Sequence, residues 1–347
     1  MIDVLIVEDS RSARLLLKQI LQSDPSLCVI GDVGSGEEAI EFLKSKKPHV
    51  ITMDIVMPGL DGFSTTELIM ETHPVPIVIV SSIYKPGEVE NSFRAMEAGA
   101  VAIIEKPVAP VHPEYNRLSK QFIDIIKIMS EVKVVTRFAR NRKRKTSEIF
   151  FETSELLTQK RVNLIAIGAS TGGPPVLQTL LKILPKDINA PILIVQHISA
   201  GFVEGLAQWL ESTTGFPVHI PKDGEYCQNG HVYLAQDDFH MGITFGSRII
   251  LEKSQLENGQ RPSVSFLFRS VACNFPGNAI AVLLTGMGND GATELKSIKE
   301  SGSLTIAQDE ASSIVYGMPG EAVKLKAAQL VLSPVEIART INDYLKK

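Results

Sequence analysis

The sequence predicts an α/β protein of two domains, each built on a parallel sheet. Three observations carry this expectation. Short continuous apolar runs recur along the chain with helical patterns between them, which is how strands buried on both faces read. The runs stop abruptly at polar or glycine-rich residues, and in open α/β sheets the C-terminal strand ends share one edge, where sites collect. At 347 residues the chain is long for a single core, so two domains are expected.

In the N-terminal part the strand candidates are Val4–Val7, Cys28–Gly31, Val50–Met53, Ile77–Val80 and Val101–Ile104. Ser10 or Ser12 is placed to cap the first helix and Ser35 the second. Five β/α units of this length predict a doubly wound parallel sheet. Glu8-Asp9 follow the first strand, Asp54 the third, Ser81-Ser82 the fourth and Lys106-Pro107 the fifth. Three carboxylates on one edge repel each other unless they share a cation, and Mg²⁺ is the expected ion for a hard oxygen site that also receives a phosphoryl group. Lys106 could neutralise a phosphoryl oxygen. The plain alternative, that each acid is a solvated loop residue, loses force when five polar groups fall at matching strand ends.

This set, with the stretch Met53-Asp54-Ile55-Val56-Met57-Pro58-Gly59-Leu60-Asp61-Gly62, resembles the receiver domain of two-component response regulators. The resemblance implies a flavodoxin-like domain over residues 1–130, with Asp54 phosphorylated by a histidine kinase. It implies Glu8, Asp9, Asp54 and the Val56 carbonyl as Mg²⁺ ligands, and Ser81 and Lys106 as the groups that bind the phosphoryl oxygens. Ile103 departs from the pattern, since many receivers carry an aromatic switch residue three positions before the lysine.

A helical pattern from about Glu114 to Val132 closes this domain. The basic stretch Arg137–Ser147 follows, within a linker placed at 131–159. Such a stretch reads as a solvated linker, with phosphate contact as the sharper alternative. No helix-turn-helix pattern accompanies it, and the net charge of −4 argues against general polyanion binding. Specific nucleic-acid binding is therefore not expected. Cys28, Cys227 and Cys273 match no metal or redox spacing and read as free thiols of a reducing cytoplasm. No apolar run approaches the ~18 residues of a membrane span, so no membrane insertion is expected.

Residues 160–347 form the second domain. Leu164–Ile167 runs into Gly168-Ala169-Ser170-Thr171-Gly172-Gly173, Pro191–Val195 into Gln196-His197, and Ala279–Leu284 into Thr285-Gly286-Met287-Gly288-Asn289-Asp290. A serine, a histidine and an aspartate thus fall on one edge, the groups of a nucleophile, its base and the orienter of the base. A tight strand-to-helix turn would project the Ser170 hydroxyl and leave backbone N–H groups free for an oxyanion. Alternatives stand beside each residue. The glycine-rich turn could bind a phosphate or dinucleotide, although Ser170 replaces the middle glycine of that fingerprint. His197 could be structural, and Asp290 could cap a helix at Gly291–Ile298.

Further stretches of this domain are Val195-Gln196-His197-Ile198, Ala200-Gly201-Phe202, Arg261-Pro262-Ser263-Val264 and Tyr316-Gly317-Met318-Pro319. With the serine and aspartate motifs, they resemble the chemotaxis response-regulator protein-glutamate methylesterase (CheB) family across nearly the whole domain. The resemblance implies a Rossmann-like α/β methylesterase domain joined by the linker to the receiver. It implies Ser170, His197 and Asp290 as catalytic, with the Met287 N–H and a group near Thr171 holding the oxyanion. Methyl-accepting chemoreceptors would be the substrate, their glutamines being deamidated at the same site, and no cofactor is implied in this domain. Ser265 departs from the aspartate that often stands there. Two other readings keep part of the pattern: a DNA-binding response regulator acting through the basic linker, and a receiver fused to a serine hydrolase outside chemotaxis.

Overall fold

The structure, a computed structural model, describes residues 1–81, 88–132, 134 and 162–346. The basic stretch 137–147, most of the expected linker, and Ser82 lie outside the described residues. The chain divides into two compact units, each with its own sheet.

The first unit holds β1 (Ile2–Val7), α1 (Arg11–Gln22), β2 (Leu27–Val33), α2 (Gly36–Leu43), β3 (Val50–Met53), α3 (Gly62–Thr72), β4 (Ile77–Ser81), α4 (Glu88–Ala98), β5 (Ala102–Glu105) and α5 (Tyr115–Ser130). The strands pair in parallel in the order β2-β1-β3-β4-β5, a doubly wound order whose reversal lies at β1/β3. Continuous apolar runs form the middle of the sheet because both faces are covered: β3 and β4 are buried throughout. Helix α1 starts where the Ser10 hydroxyl accepts from the Ala13 N–H, and it buries Leu17, Ile20 and Leu21, a spacing that keeps one face on the sheet. Ser35 caps α2 in the same way, through the Glu38 N–H at 3.2 Å.

The second unit holds β6 (Leu164–Ala169), α6 (Gly173–Ile183), β7 (Ile192–Gln196), α7 (Val203–Thr214), β8 (Val218–His219), β9 (Val232–Leu234), β10 (His240–Ile243), β11 (Ile249–Glu252), α8 (Val264–Asn274), β12 (Ala279–Leu283), α9 (Ala292–Glu300), β13 (Leu304–Gln308), α10 (Met318–Lys324), β14 (Leu330–Leu332) and α11 (Pro334–Leu345). Its seven-stranded sheet runs β14-β13-β12-β6-β7-β9-β8, parallel throughout. The chain leaves β6 toward β7 on one side and returns to β12 on the other. The crevice where the winding reverses therefore opens at the C-terminal ends of β6, β7 and β12, the place where such sheets carry their ligands. An antiparallel pair, β10–β11, and α8 pack over one face, with Val264, Leu267, Phe268 and Val271 joining the core under β6 and β12.

Among the described residues no helix is long and apolar enough to cross a membrane. The three cysteines are free thiols, and burial pushes the Cys227 thiol up to about 12, which removes it from nucleophilic chemistry.

Candidate active site

Ser170 and His197 sit just past the ends of β6 and β7, and Asp290 near the end of the loop from β12 to α9. Ala169 and Gln196 are register partners at the ends of β6 and β7, and the His197 N–H donates to the Ala169 carbonyl at 2.9 Å. Ser170 and His197 are thus one residue beyond the same rung of the sheet. His197 Nε2 lies 2.9 Å from Asp290 Oδ2, and both side chains are nearly buried. Nε2 is therefore the nitrogen held by the carboxylate, and Nδ1 is left to act as the base. Among the described residues no hydrogen bond joins the Ser170 hydroxyl to the His197 ring, a looseness common in sites without substrate.

The Asp290 carboxylate is held from every side. Oδ2 accepts from His197 and from the Val264 N–H at 2.7 Å, and Oδ1 from the Ser263 hydroxyl, the Asn258 amide and the Ser265 N–H at 2.8, 2.9 and 3.0 Å. Burial opposes its charge, but the hydrogen bond and charge of His197, with the bonds from Ser265 and Asn258, outweigh it and hold the carboxyl below the usual range. Such an anion can steady a developing imidazolium without taking its proton. The sequence reading of Asp290 as a possible cap for the helix at 291–298 is corrected here. The first turn of α9 follows Gly291, which has φ +83° and gives no side-chain cap. Asp290 instead sits at the N-terminus of α8, where the dipole and free N–H groups favour an anion.

The turn after β6 is built for close approach. The Ser170 N–H donates to the Thr285 carbonyl at 3.0 Å, and the Gly173 N–H returns to the Ser170 carbonyl at 2.8 Å. Gly172 takes φ +78°, a left-handed turn that glycine enters without penalty. The Thr171, Gly172 and Met287 N–H groups have no acceptor among the described residues. The Gly286 carbonyl accepts from the Gly317 and Met318 N–H groups at 3.0 and 2.9 Å. In a trans peptide the C=O and N–H point opposite ways, so the Met287 N–H is turned away from α10. Gly286 itself packs on the nucleophile, since a Cβ there would lie 2.6 Å from Ser170 Cβ. Backbone donors are thereby available beside Ser170 from two separate loops.

In the first unit the predicted set also converges. Carboxylate oxygens of Glu8, Asp9 and Asp54 lie within 4.8 Å of one another. Lys106 Nζ sits 2.8 Å from Glu8 and 3.0 Å from Asp54. Burial and the Asp54 charge raise Glu8 to about 7 against the pull of Lys106. Burial works against the Lys106 charge, but Asp54 and Glu8 raise it above the ordinary lysine value. The Ser81 hydroxyl is buried without a partner. The donor set is all oxygen, clustered and short of positive charge, which fits Mg²⁺. Ile103 packs half-buried against the core of this unit.

Comparison with known proteins finds a family match in each of the two units. The CheB methylesterase family model matches residues 165–341, and the response regulator receiver domain model matches residues 4–112. A protein-glutamate methylesterase/protein-glutamine glutaminase of Nitrosospira multiformis is 48% identical over 345 residues, covering 99% of this chain and 97% of the relative. The chain belongs to the CheB methylesterase family. A relative of the same name, numbered 2, from Methanospirillum hungatei is 47% identical, over 100% of this chain and 99% of its own length. Among solved structures, the Thermotoga maritima CheB methylesterase catalytic domain aligns with a TM-score of 0.51 and 37% identity, covering 52% of this chain and 98% of that one.

Ser263, Asn258 and Ser265 surround Asp290 without being marked as its partners by the sequence. Ser263 and Asn258 meet Asp290 only because the loop before α8 folds back across β12. Ser265 supports the same loop: its hydroxyl donates to Glu294 at 2.7 Å and accepts from the Gly291 N–H at 2.9 Å. Glu294 lies in the first turn of α9.

Proposed function

We propose that this chain is a phosphorylation-regulated protein-glutamate methylesterase acting on chemoreceptors in the cytoplasm. Ser170 Oγ attacks the γ-carbonyl carbon of a methylated glutamate as its proton passes to His197 Nδ1. The Met287 N–H, with the Thr171 N–H, receives the oxyanion. Collapse expels methanol, carrying the proton back from His197, and leaves an acyl-enzyme on Ser170. Water, deprotonated by His197, then releases the glutamate carboxylate. Asp290 stays ionised throughout and holds the ring. A glutamine side chain follows the same course with ammonia as the leaving group, which is the deamidation carried in the names of the relatives.

The observation that carries this reading is the buried His197–Asp290 pair, one sheet rung from a serine on a tight glycine turn. Control enters through the first unit. A histidine kinase is the phosphodonor and Asp54 the acceptor. Glu8, Asp9, Asp54 and the Val56 carbonyl would hold Mg²⁺, which when bound supplies positive charge to offset the phosphoryl oxygens. Lys106 pairs with the phosphoryl group, and the unpartnered Ser81 hydroxyl is the donor available to it. The test is methanol release from methyl-labelled chemoreceptor membranes by the purified chain, with and without a small-molecule phosphodonor. Release that rises with the phosphodonor supports the reading, and no release in either condition contradicts it.

A further inference from the structure

The Gln196 side chain joins the two reacting loops. Its Nε2 donates one hydrogen to the Ser170 carbonyl at 2.8 Å and the other to the His197 carbonyl at 2.7 Å. Both acceptors are main-chain oxygens, so the amide orientation is fixed: only the nitrogen can face them. Beyond the rung at Ala169–Gln196 the sheet ladder ends, and the two loops diverge. The amide fork takes the place of the next rung, spanning nucleophile and base where backbone pairing has stopped.

A second observation points to the same contact. Gln196 Oε1 is buried with no hydrogen-bond partner among the described residues, and the side chain is almost wholly enclosed. It lies against the first residue of α6. A Cβ at Gly173 would overlap Oε1 and lie 3.0 Å from Gln196 Cδ. Gly173 has no unusual φ that would require glycine; a side chain is excluded there by the Gln196 amide and, at 2.9 Å, by Ala169 Cβ. The amide is therefore held by its two donated hydrogen bonds alone, with its oxygen left without a protein partner among the described residues.

We infer that Gln196, seated in the space left by Gly173, is a positioning residue that fixes the Ser170 turn relative to His197. This rests on the reading of Ser170 and His197 as nucleophile and base. Gln196 touches neither substrate nor reacting atoms. It acts through the two carbonyls, and no bond is made or broken at it. The contact holds Ser170 Oγ within reach of Nδ1 at the moment of attack, so its loss appears in the chemical step and not in substrate binding.

The test uses the full chain with methyl-labelled receptor membranes. Gln196→Met keeps length and burial but removes both donors. Gly173→Ala keeps the Gln196 residue but drives a methyl into its amide and against Ala169 Cβ, so Gln196→Met, which adds no methyl at 173, carries the decision. Each variant is expected to lower kcat by about 10- to 100-fold, the order of loss that an ångström-scale misplacement produces, with KM within about threefold of the parent. Covalent labelling of Ser170 by an organophosphonate, which needs the aligned serine and histidine but no receptor, is expected to slow in parallel. In the double variant the two losses are expected not to add, because both remove one contact. Met at 196 with parental kcat and labelling rate would overturn the inference, as would a fall in kcat that only follows a lost folded fraction by circular dichroism. Ser170→Ala is run beside them. If it too retains activity, the nucleophile assignment has failed. If it is inactive while Gln196→Met is fully active, only the positioning role has failed.

Discussion

His197 Nε2 and Asp290 Oδ2 stand 2.9 Å apart at the ends of β7 and the β12 loop, separated by 93 residues in the chain. Every other group at that carboxylate is also a donor: two backbone N–H groups, a hydroxyl and an amide. The carboxylate is thus fixed in place by donors on both oxygens, with the imidazole among them.

Asp290→Asn should therefore be costly in two ways. Whichever oxygen the new NH₂ group replaces, it faces a backbone N–H, of Val264 or of Ser265, so one buried donor loses its partner, at about 1–3 kcal/mol. The ring loses the tautomer that leaves Nδ1 free, and methylester hydrolysis should fall by roughly 10⁴-fold. Steady-state rates and urea unfolding of the purified variant check both. An active Asn variant would mark Asp290 as a structural cap of α8.

The same carboxylate sets a pH signature. Its folded pKa lies below the ordinary 3.8, so its contribution to stability is fully present above that value and is lost as pH falls through the folded pKa. The carboxylate's own share of the stability gap between the parent and Asp290→Asn should be lost only as pH falls below about pH 4. Urea midpoints above and below that pH give the measurement, and a gap that closes near neutrality would place the linkage on another group.

Gly286→Ala tests the second loop. A methyl there would meet Met318 Sδ at 2.5 Å and Ser170 Cβ at 2.6 Å. Overpacking of this kind costs about 1–3 kcal/mol. Because the Gly286–Met287 peptide must shift with it, kcat should fall by about 100-fold. Thermal unfolding and single-turnover ester hydrolysis separate the two effects.

Much of this was legible in the chain, and the reason is topological. Ser170, His197 and Asp290 follow three apolar runs that could only be buried parallel strands, and parallel strands put their ends on one edge. The same logic placed Glu8, Asp54, Ser81 and Lys106 in the first unit. What the pattern does not reveal depends on contacts between loops. Ser263 and Asn258 reach Asp290 through the loop between β11 and α8, which has no periodicity to read. Strands β8 and β9 are two and three residues long, too short to show alternation. Asp290 reads as a cap for the helix that follows it because sequence proximity favours that helix, whereas the fold brings the N-terminus of α8 closer.

Ser265 offers a test of that loop. Ser265→Ala strips a partner from Glu294 and from the Gly291 N–H and should lower stability by about 1–3 kcal/mol. Ser265→Asp sets a second carboxylate against Glu294, now 2.7 Å from the hydroxyl, so it should be less stable than the alanine variant at pH 8 and recover toward it at pH 5, as protonation removes the repulsion. Chemical unfolding of both variants at the two pH values decides the order.

In the first unit, Asp54→Ala should bring the ratio of activity with phosphodonor to activity without it down to one. Chelation of Mg²⁺ should do the same to the parent, since the clustered carboxylates and Lys106 leave the incoming phosphoryl charge uncompensated without a cation. Methanol release with and without a chelator reads the ratio. A parent whose stimulation survives complete chelation would show that the carboxylate cluster works without a metal.

The most direct measurement is methanol release from methyl-labelled receptor membranes by Ser170→Ala. The substitution removes one oxygen from a nearly buried turn, so the unfolding midpoint should match the parent. Loss of the nucleophile should lower the rate by on the order of 10⁶-fold, to the background of the assay. A folded Ser170→Ala protein that keeps more than about a tenth of the parental rate, far above what a triad enzyme retains without its nucleophile, would contradict the assignment of Ser170 and with it the mechanism.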